Sequence, residues 1–282
     1  MIYIVINILL SSAFILGTRW AQHRQTDILS VGAVNYMVSF FCALLVFQLD
    51  ETKAVSIAAC ASGATTGAAY FVAFFFLTTT LQWKGAALAS VVSRLSILVP
   101  IGCGILIWHE QPSTMQYAGI ALACVALGLI RRGRLHFDMS ELPWYAPLHV
   151  ALFFVVAGVS RLGTEAFHQT AASYEKPSFL LAAFGLAASA SVLLMLIRRR
   201  LPGRQELLFG AGIGLTNISQ TFVILKALDV YDGFVVFSMV SAGGVMFTSL
   251  VAVFLMGEKL TRASCIGIAI ATIALVMLQA NS

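Results

Sequence analysis

The chain is poor in charge. Asp, Glu, Lys and Arg make up 10% of its 282 residues, against about 25% in an ordinary soluble domain. The 60% of residues that are hydrophobic lie in long runs divided by short polar stretches. A soluble protein so composed would need helices with one polar face, whereas these runs are apolar all round. The chain therefore reads as a multi-pass membrane protein in contact with a lipid bilayer. Cysteine is sparse and unpatterned. Cys42, Cys60, Cys103, Cys124 and Cys265 lie in apolar runs without a CxxC, which argues against a structural metal or a disulfide framework and for small buried hydrophobes. No HExxH, Ser/His or paired-Asp arrangement is present, and His149 and His168 have no metal-ligand partner at a suitable spacing. Neither catalysis nor a cofactor nor a metal is expected. The net charge of +5 comes without a basic, aromatic-interleaved stripe, so nucleic acid is not an expected partner.

A helix that spans the hydrocarbon needs about 17–25 apolar residues. Ten segments qualify: Ile2–Thr18, Ile28–Leu49, Ala54–Leu81, Gly85–Trp108, Thr114–Ile130, Trp144–Phe167, Ser178–Ile197, Leu207–Leu228, Gly233–Met256 and Arg262–Gln279. The first lacks a basic stretch ahead of it and is read as a membrane helix, not a cleaved signal.

Two stretches repeat: "HEQPSTMQYAGIALA" from His109 and "GEKLTRASCIGIAIA" from Gly257. Sliding residues 85–130 onto 233–278 without a gap makes about eleven of some forty-six positions identical, enough to call an internal repeat. Gly85 meets Gly233, Ser90 meets Ser238, Ser93 meets Ser241, and Glu110 meets Glu258. The predicted fold is all-α: ten transmembrane helices in two five-helix repeats, residues 1–137 and 138–282. Because five is odd, the second copy enters the membrane from the opposite side, an architecture used for alternating access. Basic residues crowd the odd-numbered connections, among them Arg24, Arg131, Arg200 and Arg204, while the even-numbered ones hold only Lys53, Lys176 and Lys226. The positive-inside rule then puts both termini outside.

An apolar helix, then Glu-x-x-[Ser/Thr], then a Gly-bearing closing helix, written twice within ten helices, resembles the drug/metabolite transporter superfamily and, within it, the EamA-like family. The stretches "HEQPSTMQYAGIALACVALGLI" and "GEKLTRASCIGIAIATIALVML" carry the likeness. The resemblance implies secondary transport of a small polar metabolite across a plasma or inner membrane, without naming the cargo. It also implies that dimers occur. Two features depart from the family. The proline often found about thirteen residues before the Glu is replaced by Ile97 and Val245, with Pro100 nearby. Relatives also often keep both termini in the cytoplasm. Small multidrug relatives exchange protons through an embedded Glu, and no Asp or Glu lies at a helix centre here.

Arg94 stands near the middle of the fourth segment. A charge at that depth costs roughly 2.5–3.5 kcal/mol on insertion scales and faces a wet cavity or a partner. It is the first candidate for a substrate anchor, and its positive charge favours an anionic or zwitterionic solute such as an amino acid. The competing reading is an Arg that only fixes packing. Ser90, Ser93, Ser238 and Ser241 are candidates for hydrogen bonds across a pseudo-two-fold axis, or else small packing residues. Asn217 and Gln220, three apart on the eighth segment, share a face and are candidate cavity residues. Asn35, Tyr36 and Tyr70 are weaker candidates. Arg161 and Glu165 are read as a pair along one face near a helix end. Glu110, Glu258, Gly119 and Gly267 are read as structural, each Glu lying beside the start of the helix that follows it. Ser113 and Gln116 are expected to form a capping box.

Overall fold

A computed structural model of the chain describes residues 1–99, 102–103, 113–132, 144–231, 233–258 and 261–277. It is all-helical over them, with nine α-helices: α1 (Ile2–His23), α2 (Ile28–Leu49), α3 (Ile57–Leu95), α4 (Thr114–Arg132), α5 (Ala146–Thr170), α6 (Lys176–Ile197), α7 (Arg204–Leu228), α8 (Gly233–Met256) and α9 (Arg262–Met277). Seven are long and apolar enough to cross a membrane. Exposed Leu45, Leu193, Leu208, Phe254 and Leu255 give the outside an apolar surface suited to lipid. The cysteines sit toward that surface too: Cys124 and Cys265 are exposed and the other three half-buried, so they are not core fillers.

Nine continuous helices stand over the described residues where ten segments were expected. The third and fourth segments join directly into the 39-residue α3, which breaks at Gly85 (φ 75°, ψ 174°). That φ suits glycine because a Cβ would collide with its own backbone. Three contacts follow the chain through the break. Gln22, near the C-terminal end of α1, donates from Nε2 to the Thr78 carbonyl at 2.6 Å ahead of it. Glu258, which pairs with Arg19, reaches the break itself. Arg94, beyond the break, meets Ser11 midway along α1. The chain thus runs toward one end of α1 and then away from it.

Glu258 explains why the second piece begins there. Its Oε1 accepts from Ala86 N at 2.7 Å and its Oε2 from Ala87 N at 3.3 Å, while Arg19 Nε lies 3.5 Å from Oε1. A carboxylate on the first amides of a helix satisfies orphan donors and complements the helix dipole. The expected structural role is found on a different helix. Glu258 caps the Arg94-bearing piece of α3, not α9, whose start is capped by Thr261 accepting from Ser264 N at 3.2 Å. The Ser113–Gln116 capping box forms as expected, at 3.3 and 2.8 Å. Glu110 lies outside the described residues.

Two glycine pairs set the closest helix contacts. Gly63 and Gly67 of α3 press on α6, and a Cβ on Gly63 would sit 2.6 Å from the Phe179 carbonyl oxygen. Gly210 and Gly214 of α7 press on α2, with the Asn35 carbonyl oxygen 2.6 Å from a Cβ on Gly214. Small-xxx-small spacing lets backbones approach where lipid offers no hydrophobic drive to associate. Gly119 and Gly267 are buried on α4 and α9, which pack together; Ala123 and Ala271 follow one turn on. α8 runs from Gly233 to Met256 without a break, as its lack of proline suggests.

Polar contacts gather at two ends. At one, the Asp27 amide donates to Glu206 at 3.2 Å, beside the Arg19–Glu258 pair. At the other, the N-terminal amine donates to the Tyr231 hydroxyl, Lys176 pairs with Asp229, and the Ser178 hydroxyl donates to the Ala54 carbonyl.

Gly85→Ala is expected to cost about 1–3 kcal/mol, since the new Cβ meets both positive φ and the Glu258 oxygens at 2.7 Å. Glu258→Gln should cost less than Glu258→Ala. Thermal unfolding of the detergent-solubilised protein checks both, and an unchanged Gly85→Ala midpoint would refute this account of the break.

Candidate functional site

A cavity of about 190 Å³ opens between α1, α2, α3, α5 and α7, lined near the middle of these helices. A single buried water needs only about 10–15 Å³ by the same measure, so the space suits a small solute. Phe14, Tyr36, Tyr70, Phe74, Leu77 and Phe153 supply its apolar walls. Phe74 holds Phe14 and Tyr36 edge-on at 6.5 and 5.9 Å. The Tyr36 hydroxyl donates to the Tyr70 carbonyl at 2.6 Å, which ties α2 to α3.

Two arginines enter this cavity. Arg94 is 5% exposed and donates from Nη2 to the Ser11 hydroxyl at 2.5 Å, while its Nε has no hydrogen-bond partner among the described residues. Its guanidinium fits because α8 presents Gly244, where a Cβ would lie 2.5 Å from Nη2. Arg161 donates from Nε to the Ser96 hydroxyl at 3.0 Å and from Nη2 to the Ser93 carbonyl at 3.2 Å. Ser93 ends the helix at that point, because Ile97 N turns to the Arg94 carbonyl instead. Arg161 thus holds a helix C-terminus, where a cation is favoured. No salt bridge to either arginine forms among the described residues.

An amide chain borders the same space. Asn7 Nδ2 donates to the Gln220 carbonyl at 2.6 Å, Gln220 Nε2 to Asn217 Oδ1 at 3.2 Å, and Asn217 Nδ2 to Asn35 Oδ1 at 3.2 Å. Asn7 and Ser11 are four apart on α1 and share a face. The amides therefore begin one helical turn from the Arg94 contact.

Of the residues expected from sequence, Arg94, Ser93, Asn217, Gln220 and Tyr70 line the cavity. Asn35 lies behind Asn217 as its partner. Ser90 and Ser241 do not line it; both are buried, with hydroxyls unpartnered among the described residues, between closely packed α3 and α8. The Ser238 side chain lies outside the described residues. The Arg161–Glu165 pair does not form: Glu165 Oε1 accepts from Gln169 at 3.2 Å, and Arg161 turns inward. Tyr36, also expected, lines it too, whereas sequence reasoning missed Arg161 as a cavity residue, together with Asn7 and Ser11. His149 bonds the Phe76 carbonyl at 3.3 Å beside Trp83, a packing role.

Fold and cavity together define a multi-pass helical membrane protein with a cationic chamber at mid-depth. Residues 1–132 match the model of the EamA-like transporter family, which agrees with the resemblance read from the Glu motifs and is consistent with the drug/metabolite transporter superfamily. A solved structure titled only "Crystal structure of protein" superposes with a TM-score of 0.65 at 16% identity, over 100% of this chain and 98% of its own. That likeness concerns the fold alone. None of the curated proteins compared with the chain matches it.

Gly244→Ala should displace the Arg94 guanidinium while leaving the helix packing in place. The expected outcome is a thermal midpoint within a few degrees of wild type and a loss of most anion-induced stabilisation. An unaltered anion response would show that the fit at Gly244 does not position Arg94.

Proposed function

We propose that the protein is a secondary-active carrier that moves a small anionic or zwitterionic metabolite across a cell membrane, plasma or inner, by alternating access. The observation that carries this reading is the pair of guanidiniums at mid-depth with no carboxylate beside them among the described residues. A buried charge left unpaired is costly, and a solute carboxylate or phosphate supplies the missing partner through charge-assisted hydrogen bonds.

In this reading ten crossings form two inverted five-helix halves, residues 1–137 and 138–282. Several contacts support it. The second and third crossings of one half meet the third and second of the other through glycine pairs: α2 with α7, and α3 with α6. α1 packs on α7 and α8, as α5 packs on the two pieces of α3. Exchanging which half opens moves the chamber from one face to the other. The gathering of Arg19, Asp27, Glu206 and Glu258 at one end and of Lys176, Asp229 and Tyr231 at the other supplies two places to close. Loop charges favour termini outside. A membrane enzyme or a passive channel is the competing class. Saturable, competable flux in proteoliposomes separates a carrier from a channel.

The direct test is ligand-induced stabilisation. A solute at 100 times its Kd raises stability by about 2.7 kcal/mol. Amino acids, organic acids, phosphate esters, sugars and cationic drugs are screened against wild type and Arg94→Ala. An anionic or zwitterionic compound should stabilise the first and not the second. Stabilisation by cations alone, or an equal response from Arg94→Ala, would overturn the substrate class.

A further inference from the structure

We propose that the cavity selects solutes bearing two negative charges, as a dicarboxylate or a phosphate monoester, over monoanions and zwitterions. The proposal rests on the reading of the cavity as the transport site and narrows it.

Both cations belong to one place. Arg161 grips the Ser93 carbonyl, and Arg94 is the next residue along α3. Guanidinium does not lose its proton in proteins, so the chamber holds two positive charges. Charges this close repel strongly in a low-dielectric interior. A monoanion offsets one of them, whereas a dianion offsets both.

The described acids are engaged elsewhere. Asp27 bonds Ser30, Asp50 bonds Thr52, Glu175 and Glu206 accept backbone amides, Asp229 holds Lys176, and Glu258 caps α3. Glu51 is exposed at a helix end, and Glu165, one turn from Arg161, is turned to Gln169. At the far pole the chamber offers neutral amides, Asn7, Asn217 and Gln220, with no acid among its lining residues to receive an ammonium. That composition fits a short solute that brings two negative charges and no ammonium. It does not fit an amino acid.

The test compares solutes that share a body and differ in charge. Wild type, Arg161→Gln and Arg161→Lys in detergent are titrated calorimetrically at mildly alkaline pH with glutarate against monomethyl glutarate, phenyl phosphate against benzoate, and phenylalanine. A phosphate monoester is close to doubly charged under these conditions. At least one dianion should bind wild type at least about tenfold tighter than its monoanionic counterpart, the scale of one added close charge pair. Whichever dianion shows the preference identifies the charged group. Arg161→Gln should erase the preference while keeping monoanion binding, and Arg161→Lys should keep the preference. Monoanions or phenylalanine binding wild type as tightly as the dianions, or a preference that survives in Arg161→Gln, would overturn the proposal while leaving an anion carrier intact. Binding of no anion at all would remove the transport-site reading itself, a distinct result. The wild-type ratio decides the matter even if Arg161→Gln does not fold.

Discussion

Within hydrocarbon, a polar group has no water to turn to and must find its partner inside the protein. The polar chemistry of this chain follows from that constraint. Glu258 is tolerated near the bundle because two backbone amides and Arg19 surround its carboxylate. Arg161 is tolerated because a helix ends in front of it and leaves a carbonyl without a backbone partner, shared with the Ser96 hydroxyl. The amides of Asn35, Asn217 and Gln220 bond one another in a row, with Asn35 Nδ2 left without a partner among the described residues. Arg94 meets the rule least well, with one hydroxyl and an unpartnered Nε among the described residues. That guanidinium borders the cavity.

The break at Gly85 connects the family motif to that site. Glu258 comes from the second half of the chain, yet it fixes the first turn of the helix that carries Ser93, Arg94 and Ser96. Both arginines depend on that short helix. Arg94 stands on it, and Arg161 leans on its C-terminal end. A residue far from the cavity thereby sets the height of both cations. Loss of the cap would shift the pair together without touching the solute.

Much of the fold was legible because its signals are long. Apolar runs, the duplicated Glu motif and the capping box are all read within one segment or by one constant offset. The failures are equally physical. The junction at Gly85 looked like a loop because glycine beside lysine marks a boundary, and only the positive φ shows that two helical pieces meet with no residues between them. Arg161 was placed at a helix end with Glu165 because helical spacing allows that pair. What decides its direction is the carbonyl freed at Ser93, a fact about another helix. Asn7 and Ser11 gave no signal, since small polar residues in a first apolar run look like packing until Gln220 and Arg94 are seen against them. Ser90 and Ser241 fit the packing alternative read for them: the repeat made them conspicuous, and being repeated marks a helix contact as readily as a site.

That last distinction separates the scaffold from the chemistry. The features shared between the copies are architectural: Gly85 answers Gly233, Gly119 answers Gly267, and Ser90 answers Ser238. The features that line the cavity are unshared. Arg94 has Ala242 as its counterpart, and Ser96, which holds Arg161, has Gly244, which makes room for Arg94. The two copies therefore do not line the cavity alike. Gly244 illustrates the consequence. Restoring symmetry there with a serine would place a side chain where the Arg94 guanidinium lies, so the second copy gave up its side chain at the position where the first kept one. The two arginines and the amides of Asn7, Asn217 and Gln220 thus give the cavity chemically different linings.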